Sequence, residues 1–303
     1  MRIAIVGAGN VGTALTVLFE EAGHEIAGVA SRSESSAAKA AAPLGIPYST
    51  DAKDFTSLAD VVFLTTPDRF ISKVCNQLAE AGAFSAGTIV AHTSGAHSSS
   101  ILKSAAICGA RTVSFHPLQT FATPEAGIKN LPGSYITVEG DIQGLPIARQ
   151  LVADLNCQLL EIPTSCKPLY HAAAAIVSNY FTALVDYGLQ VMIAAGVNRE
   201  DALPALYPLI DGSLRNIARV GVTQALTGPI SRGDSSTVDT HLRAMSEKIP
   251  QAIPLYRLLG LATVDLALAK GTLGEKERND LLNSLGAPDK TSIKRTNKKI
   301  RGS

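Results

Sequence analysis

Lys167, His171 and Asn179 recur at i, i+4 and i+12 in a run, Ser165 to Tyr180, that reads as a helix, and this spacing predicts one shared helix face. Ala172 to Ala175 keep the surface between them small, and Pro168 suits a first helical turn, where a missing N–H costs little. A lysine and a histidine so placed can deliver a proton to a carbonyl oxygen that gains negative charge, and an asparagine can orient that carbonyl. A solvated lysine on a capped helix is the plain alternative. A second group ends three successive strand-like runs: Thr65-Thr66-Pro67-Asp68, His92-Thr93-Ser94-Gly95 and His116-Pro117. His116 lies between an apolar strand and a proline-fixed turn, so its imidazole is held, either for catalysis or to satisfy a buried backbone group. At His92 the useful groups are the imidazole or the hydroxyls of Thr93 and Ser94. A third cluster runs from Gly228 through Arg232-Gly233-Asp234 to His241. Arg232 can grip a carboxylate through two parallel hydrogen bonds, while Asp234 or Ser235 can cap the helix that follows. The expected catalytic residues are Lys167, His171, Asn179 and His116, and the expected substrate contacts are His92, Ser178, Arg232 and Asp234.

The elements that must position these groups begin with a strand, Arg2–Val6, running into Gly7-Ala8-Gly9-Asn10-Val11-Gly12 and then a helical run, Thr13 to Ala22. GxGxxG between a strand and a helix is a dinucleotide-binding signature. Gly7 permits the tight turn, Gly9 lets the backbone approach a pyrophosphate, and Gly12 lets helix and strand pack closely. The free N–H groups at the helix start bind the phosphates. At the end of the second strand, where an acid would take a ribose 2′-hydroxyl, the chain reads Ser31-Arg32-Ser33, with no acid before Glu34. Two hydroxyls and a guanidinium suit a 2′-phosphate, so the expected cofactor is NADP(H); a solvated helix-start arginine is the alternative. Thr65, Thr66, Pro67, Thr93 and Ser94 are expected on the nicotinamide side, because ligands of open α/β sheets lie beyond the carboxyl ends of the strands.

Alternating strands and helices continue to Ile162, with a closing β-α-β addition over 135–162, and imply a doubly wound parallel sheet. After Pro163 only helical runs remain. The expected division is a nucleotide-binding domain, 1–163, an all-helical substrate and dimerisation domain, 164–288, and a basic tail, 289–303. The tail holds six basic residues and one acid in a chain of net charge +1. A solvated terminus explains it, and with aromatic residues at 5% no nucleic-acid surface is expected. No apolar stretch is expected to span a bilayer, and a strand starting at residue 2 leaves no room for a signal peptide. Cys75, Cys108, Cys157 and Cys166 lack paired spacing and read as reduced thiols of a cytoplasmic protein, with no metal framework.

Together Gly7–Gly12, His92-Thr-Ser-Gly95, Ser114-Phe-His-Pro-Leu-Gln-Thr-Phe121, Tyr170-His-Ala-Ala-Ala174 with Ser178-Asn-Tyr180, and Gly228-Pro through Asp234 to His241 resemble the Rossmann-like proteins with a DUF2520 domain, relatives of 6-phosphogluconate dehydrogenase-type reductases. The resemblance covers about residues 1–270. It implies an NADP-dependent oxidoreductase, dimeric through its helical domain, with a small-molecule substrate in the cleft between domains. Some members look like ketopantoate reductases, whose helix presents Lys-xxx-Asn-xxx-Asn; Lys167, His171 and Ala175 stand at those positions here, with Asn179 one turn on. Prephenate and arogenate dehydrogenases carry a His-Pro pair matching His116-Pro117, without the glycine that usually follows it. Pyrroline-5-carboxylate reductase is similar in the first domain. The leading expectation is reduction of a small 2-keto acid, ketopantoate foremost. A prephenate dehydrogenase-like enzyme and an NADP-binding sensor without turnover are the alternatives.

Overall fold

The structure, a computed structural model, describes residues 1–286, so the basic stretch 289–303 lies outside the described residues. Eight strands form one sheet: β1 Arg2–Val6, β2 Glu25–Ala30, β3 Tyr48–Ser49, β4 Val61–Leu64, β5 Ile89–His92, β6 Arg111–Pro117, β7 Tyr135–Gly140 and β8 Gln158–Glu161. Their order is β3-β2-β1-β4-β5-β6-β7-β8. Helices α1 Asn10–Glu21, α2 Glu34–Ala41, α3 Lys53–Thr56, α4 Asp68–Glu80, α5 Lys103–Ile107, α6 Pro124–Asn130, α7 Leu145–Asp154 and α8 Lys167–Ala175 complete this unit. Strand side chains alternate between two apolar layers. Ile3, Ile5, Phe63 and Phe115 meet α1 through Leu15 and Phe19. Ala4, Val6, Val62 and Leu64 meet Ile71, Cys75 and Leu78 of α4 on the other face.

The sheet departs from the expected all-parallel order at one seam: β7 runs antiparallel to β6, and β8 is parallel to β7. The connection holds only the seven-residue α6, which Thr123 caps and Pro124 starts. Such a helix is about 10 Å long, shorter than a strand of about 23 Å, and it packs on α1, with Gly127 beside Ala14, instead of crossing the sheet. The chain therefore turns and pairs in reverse, with Leu118 N donating to Tyr135 O at 2.9 Å.

Two compact units emerge, Met1–Ser178 and Asn179 onward. The first boundary thus falls after α8 rather than near residue 163. The physical reason lies in α8, whose Lys167 and Tyr170 side chains bond to β6 and β7. Between α8 and α9, Phe181–Ala194, residues Ile176–Tyr180 form a π-helical segment, which breaks the 3.6-residue phase that the i, i+4, i+12 reading assumed. Ser178 and Asn179 both lie in it.

The second unit holds α9, α10 Arg199–Ala225, α11 Ser235–Lys248, α12 Ile253–Lys270 and α13 Glu275–Ser284. Its core joins Val238 and Leu242 of α11, Val264 and Ala267 of α12, and Leu281 of α13. By length and composition, Pro250–Lys270 is apolar enough to cross a membrane, contrary to the expectation that no stretch would be, although Arg257 and Asp265 interrupt it.

Candidate active site

The glycine loop supplies the first half of the site. Gly7 has φ +126°, open to glycine without strain. A Cβ on Gly12 would stand 1.9 Å from the Gly7 carbonyl oxygen and 2.6 Å from Thr65 Oγ1. Gly9 faces open space, with nothing within 4 Å of a Cβ position. Thr65 is bound into the turn, its hydroxyl donating to Gly7 O at 2.7 Å. Asn10 likewise spends its side chain on structure, donating to Phe121 O at 2.9 Å and Ala122 O at 3.0 Å.

Beyond the loop lies a cleft of about 840 Å³. Its walls include Gly7, Gly9, Asn10, Val11, Ser31, Arg32, Thr65, Thr66, Pro67 and Thr93. Thr66 Oγ1 is buried there without a hydrogen-bond partner among the described residues. At the β2–β3 end, Arg32 lies 5.1 Å over the Phe70 ring, and Lys53 and Lys73 add positive charge to the wall. Asp51 and Asp68 add negative charge. Sequence reading missed both lysines, because Lys53 and Lys73 belong to helices that meet this wall only once the sheet is assembled.

Ser33 and Ser94 are placed differently from expectation. Ser33 caps α2, accepting from Ser36 N at 3.4 Å. Ser94 Oγ accepts from Ala96 N and His97 N and donates to Asp68 Oδ2 at 2.9 Å, so it organises the loop after β5. His92 is fully buried, its Nδ1 accepting from Ser94 N at 3.1 Å. Burial pushes its pKa down to about 3. That bond ties the imidazole to the loop that carries Thr93 and Gly95.

The second half of the site gathers on β6, β7 and α8. Lys167 is fully buried, and its Nζ donates to Ser114 Oγ at 2.6 Å. Burial lowers its pKa to about 8, while the Glu139 and Asp68 carboxylates oppose that fall. Glu139 is itself buried and bound by Ser99 N at 2.6 Å, Ser99 Oγ at 2.9 Å and Thr164 Oγ1 at 2.7 Å. His116 Nδ1 meets the Tyr170 hydroxyl at 2.8 Å, and burial, then the Lys167 charge, lowers its pKa to about 3. His171 stands edge-on to His116 with ring centres 6.3 Å apart. A Cβ on Gly95 would lie 2.5 Å from His171 Nδ1 and 2.7 Å from His116 Nε2, so only glycine lets the two rings converge. The structure therefore brings together Lys167, His116 and His171, and adds Ser114, Thr137, Glu139 and Tyr170. Their signal was thin: Ser114 and Tyr170 stand two residues and one residue from the histidines of their motifs.

The remaining expected contacts belong to the second unit. Asp234 is the N-cap of α11, accepting from Thr237 N at 3.0 Å and Ser236 Oγ at 2.8 Å. Bonds from the Thr237 hydroxyl and N–H, then from Ser236, hold its pKa down at about 2. Its carboxylate is thus spent on the cap rather than offered to a substrate. Arg232 is exposed on the preceding turn.

A glycine turn, a cleft at the carboxyl ends of parallel strands and a polar cluster beside it define a dinucleotide-binding α/β protein with a buried lysine at its site. Residues 1–117 match the Rossmann-like domain and residues 134–263 match the domain of unknown function DUF2520. The chain joins these two domains. No curated protein matches it. Among solved structures it is similar to protein TM1727 of Thermotoga maritima, with 27% identity, TM-score 0.69, and 88% of this chain and 99% of that one covered. Protein BF3122 of Bacteroides fragilis is 21% identical with TM-score 0.66, covering 87% and 98%. A reductive aminase of Aspergillus terreus, in complex with NADPH and ethyl-5-oxohexanoate, is 19% identical with TM-score 0.62, covering 92% and 98%.

Proposed function

We propose that this protein is an NADP(H)-dependent oxidoreductase that reduces a small 2-keto acid or related carbonyl compound, with 2-dehydropantoate (ketopantoate) as the foremost candidate. The observation that carries this reading is the buried Lys167 ammonium, which donates to Ser114, has a pKa lowered by burial to about 8 and feels the charge of Asp68 in the wall of the glycine-loop cleft. The neighbouring reductive aminase is a complex with NADPH, in keeping with the cofactor. Bound NADPH supplies the hydride. The protein's share is to hold the carbonyl and to give its oxygen a proton, from Lys167, as charge develops there. Ketopantoate is preferred because Lys167 stands where ketopantoate reductases carry their lysine. The test is NADPH oxidation by the purified protein across a panel of 2-keto acids that includes 2-dehydropantoate. Oxidation with 2-dehydropantoate at the highest kcat/KM is expected. Tight NADPH binding with no oxidation on any member would instead support the sensor reading.

Arg32 and the hydroxyl of Ser31 are assigned to the 2′-phosphate. Arg32→Ala should weaken NADPH binding about 10–100-fold, the worth of one or two charge-assisted hydrogen bonds. NADH binding should not change. Calorimetric titration of both nucleotides checks this, and equal losses for the two would remove Arg32 from that role.

The helical unit is assigned to a homodimer. No residue of α9 is buried although its sequence is strongly apolar, and α10 leaves Leu203, Tyr207, Leu209 and Leu214 exposed. An apolar face of this extent favours a protein partner. Sedimentation should give twice the chain mass, and Leu209→Glu with Tyr207→Glu should shift it to the monomer.

A further inference from the structure

Tyr170 has no part in the proton transfer described above, yet its hydroxyl stands at the centre of a part-buried row. Thr137 Oγ1, fully buried on β7, donates to the Tyr170 hydroxyl oxygen at 2.7 Å. The same oxygen lies 2.8 Å from His116 Nδ1. A phenol has one proton to give. Burial raises the Tyr170 pKa, so that proton stays on the ring oxygen. Given to His116 Nδ1, it completes the row. Were Nδ1 protonated instead, two donors would point at the phenol and its own hydrogen would have no acceptor in the row. His116 is neutral, so it carries a single ring proton. With Nδ1 accepting, that proton is on Nε2.

The Nε2 atom has a defined outlook. It and His171 Nδ1 converge on one point above Gly95, at 2.7 Å and 2.5 Å from where a Cβ would sit. His171 Nδ1 is buried and has no hydrogen-bond partner among the described residues. Buried as it is, His171 Nδ1 is closed to a substrate atom, which leaves His116 Nε2 as the nitrogen with a proton to present.

We propose that Tyr170, held by Thr137, is a positioning residue that fixes His116 as its Nε2–H tautomer, so that the site presents one neutral N–H donor over Gly95 to the oxygen of a carbonyl or hydroxyl substrate. The opposite tautomer would turn a lone pair toward a carbonyl oxygen and repel it. The tautomer stands on hydrogen bonding alone, whereas its consequence for turnover rests on the oxidoreductase reading.

Two measurements separate these. In the uniformly ¹⁵N-labelled full-length protein, long-range proton–nitrogen correlation should show His116, assigned by comparison with His116→Gln, protonated at Nε2. Tyr170→Phe should give a mixture of tautomers. An Nδ1–H ring in the unmodified protein overturns the proposal, whatever the activity. In kinetics, Tyr170→Phe should lower kcat about 10–100-fold, as removal of a partner that orients a histidine does at metal sites, with the KM for NADPH unchanged. In a His116→Gln background the amide nitrogen is a donor by covalent structure, so adding Tyr170→Phe should cost little more. Equal losses in both backgrounds would mean that Tyr170 only supports the fold, and would overturn the proposal. Absence of NADPH oxidation by the unmodified protein would sink the oxidoreductase reading and leave the tautomer to be decided by the nitrogen spectrum.

Discussion

Lys167→Met should lower kcat for carbonyl reduction by about 10²–10⁴-fold, the usual worth of a positioned general acid. Binding of NADPH should stay roughly unchanged, because Lys167 is not in the wall of the glycine-loop cleft. The fold should survive as well. Removing one of two opposite buried charges leaves the other less compensated and costs stability, but Glu139 keeps its bonds from Ser99 and Thr164, which limit that loss. The pH profile identifies the acid. The Lys167 pKa is about 8, so the ammonium that donates the proton is present below that value and lost above it. Reduction should therefore be flat through neutral pH and fall as pH rises past about 8. The reverse oxidation, which needs the free amine as base, should rise over the same interval. His116, with a pKa of about 3, is neutral throughout and cannot produce this limb. A reduction rate that climbs through pH 8, or a Lys167→Met enzyme with near-normal kcat, would show that the proton comes from elsewhere.

The glycine loop should separate stability from binding. In Gly12→Ala the new methyl would sit 1.9 Å from the Gly7 carbonyl oxygen, a clash with backbone that no side-chain rotation relieves. Overpacking of this kind costs about 1–3 kcal/mol or more. A melting temperature lower by roughly 3–10 °C is expected, together with loss of NADPH binding. Gly9→Ala meets no heavy atom within 4 Å, and Gly9 has φ −84°, which alanine accepts. It should melt like the unmodified protein yet bind NADPH about 10–100-fold more weakly, because its methyl occupies the space a pyrophosphate needs. Thermal denaturation with and without NADPH measures both. If Gly9→Ala bound NADPH normally, the phosphates would not lie over this loop.

These two residues also mark where reading the chain succeeds. Gly7, Gly9 and Gly12 are informative because their meaning is local: a strand, a turn and a helix start within a dozen residues. The buried strands β1, β4 and β5 are legible for a similar reason, since buried parallel strands read as short apolar runs between turns. The antiparallel seam at β6–β7 is not. It depends on the length of α6, which sequence reading did not assign. Asn179 was assigned to the face of Lys167 on helical spacing, and the π-helical segment at Ile176–Tyr180 removes the basis for that assignment.

By itself, the sequence determined the cofactor cleft and nominated Lys167, His171 and His116, because glycine spacing and residues at strand ends act through bonds nearby in the chain. Only the tertiary structure decided how those residues are arranged. Ser114 lies 53 residues from Lys167, and Thr137 lies 33 from Tyr170. Their pairing exists only after β6, β7 and α8 are brought side by side. The same assembly buries His92, leaves Ser33 and Asp234 as helix caps, and lets Gly95 pass between two imidazoles. Burial and hydrogen bonding set which nitrogen is protonated and which lysine is acidic, and both are properties of the packed site.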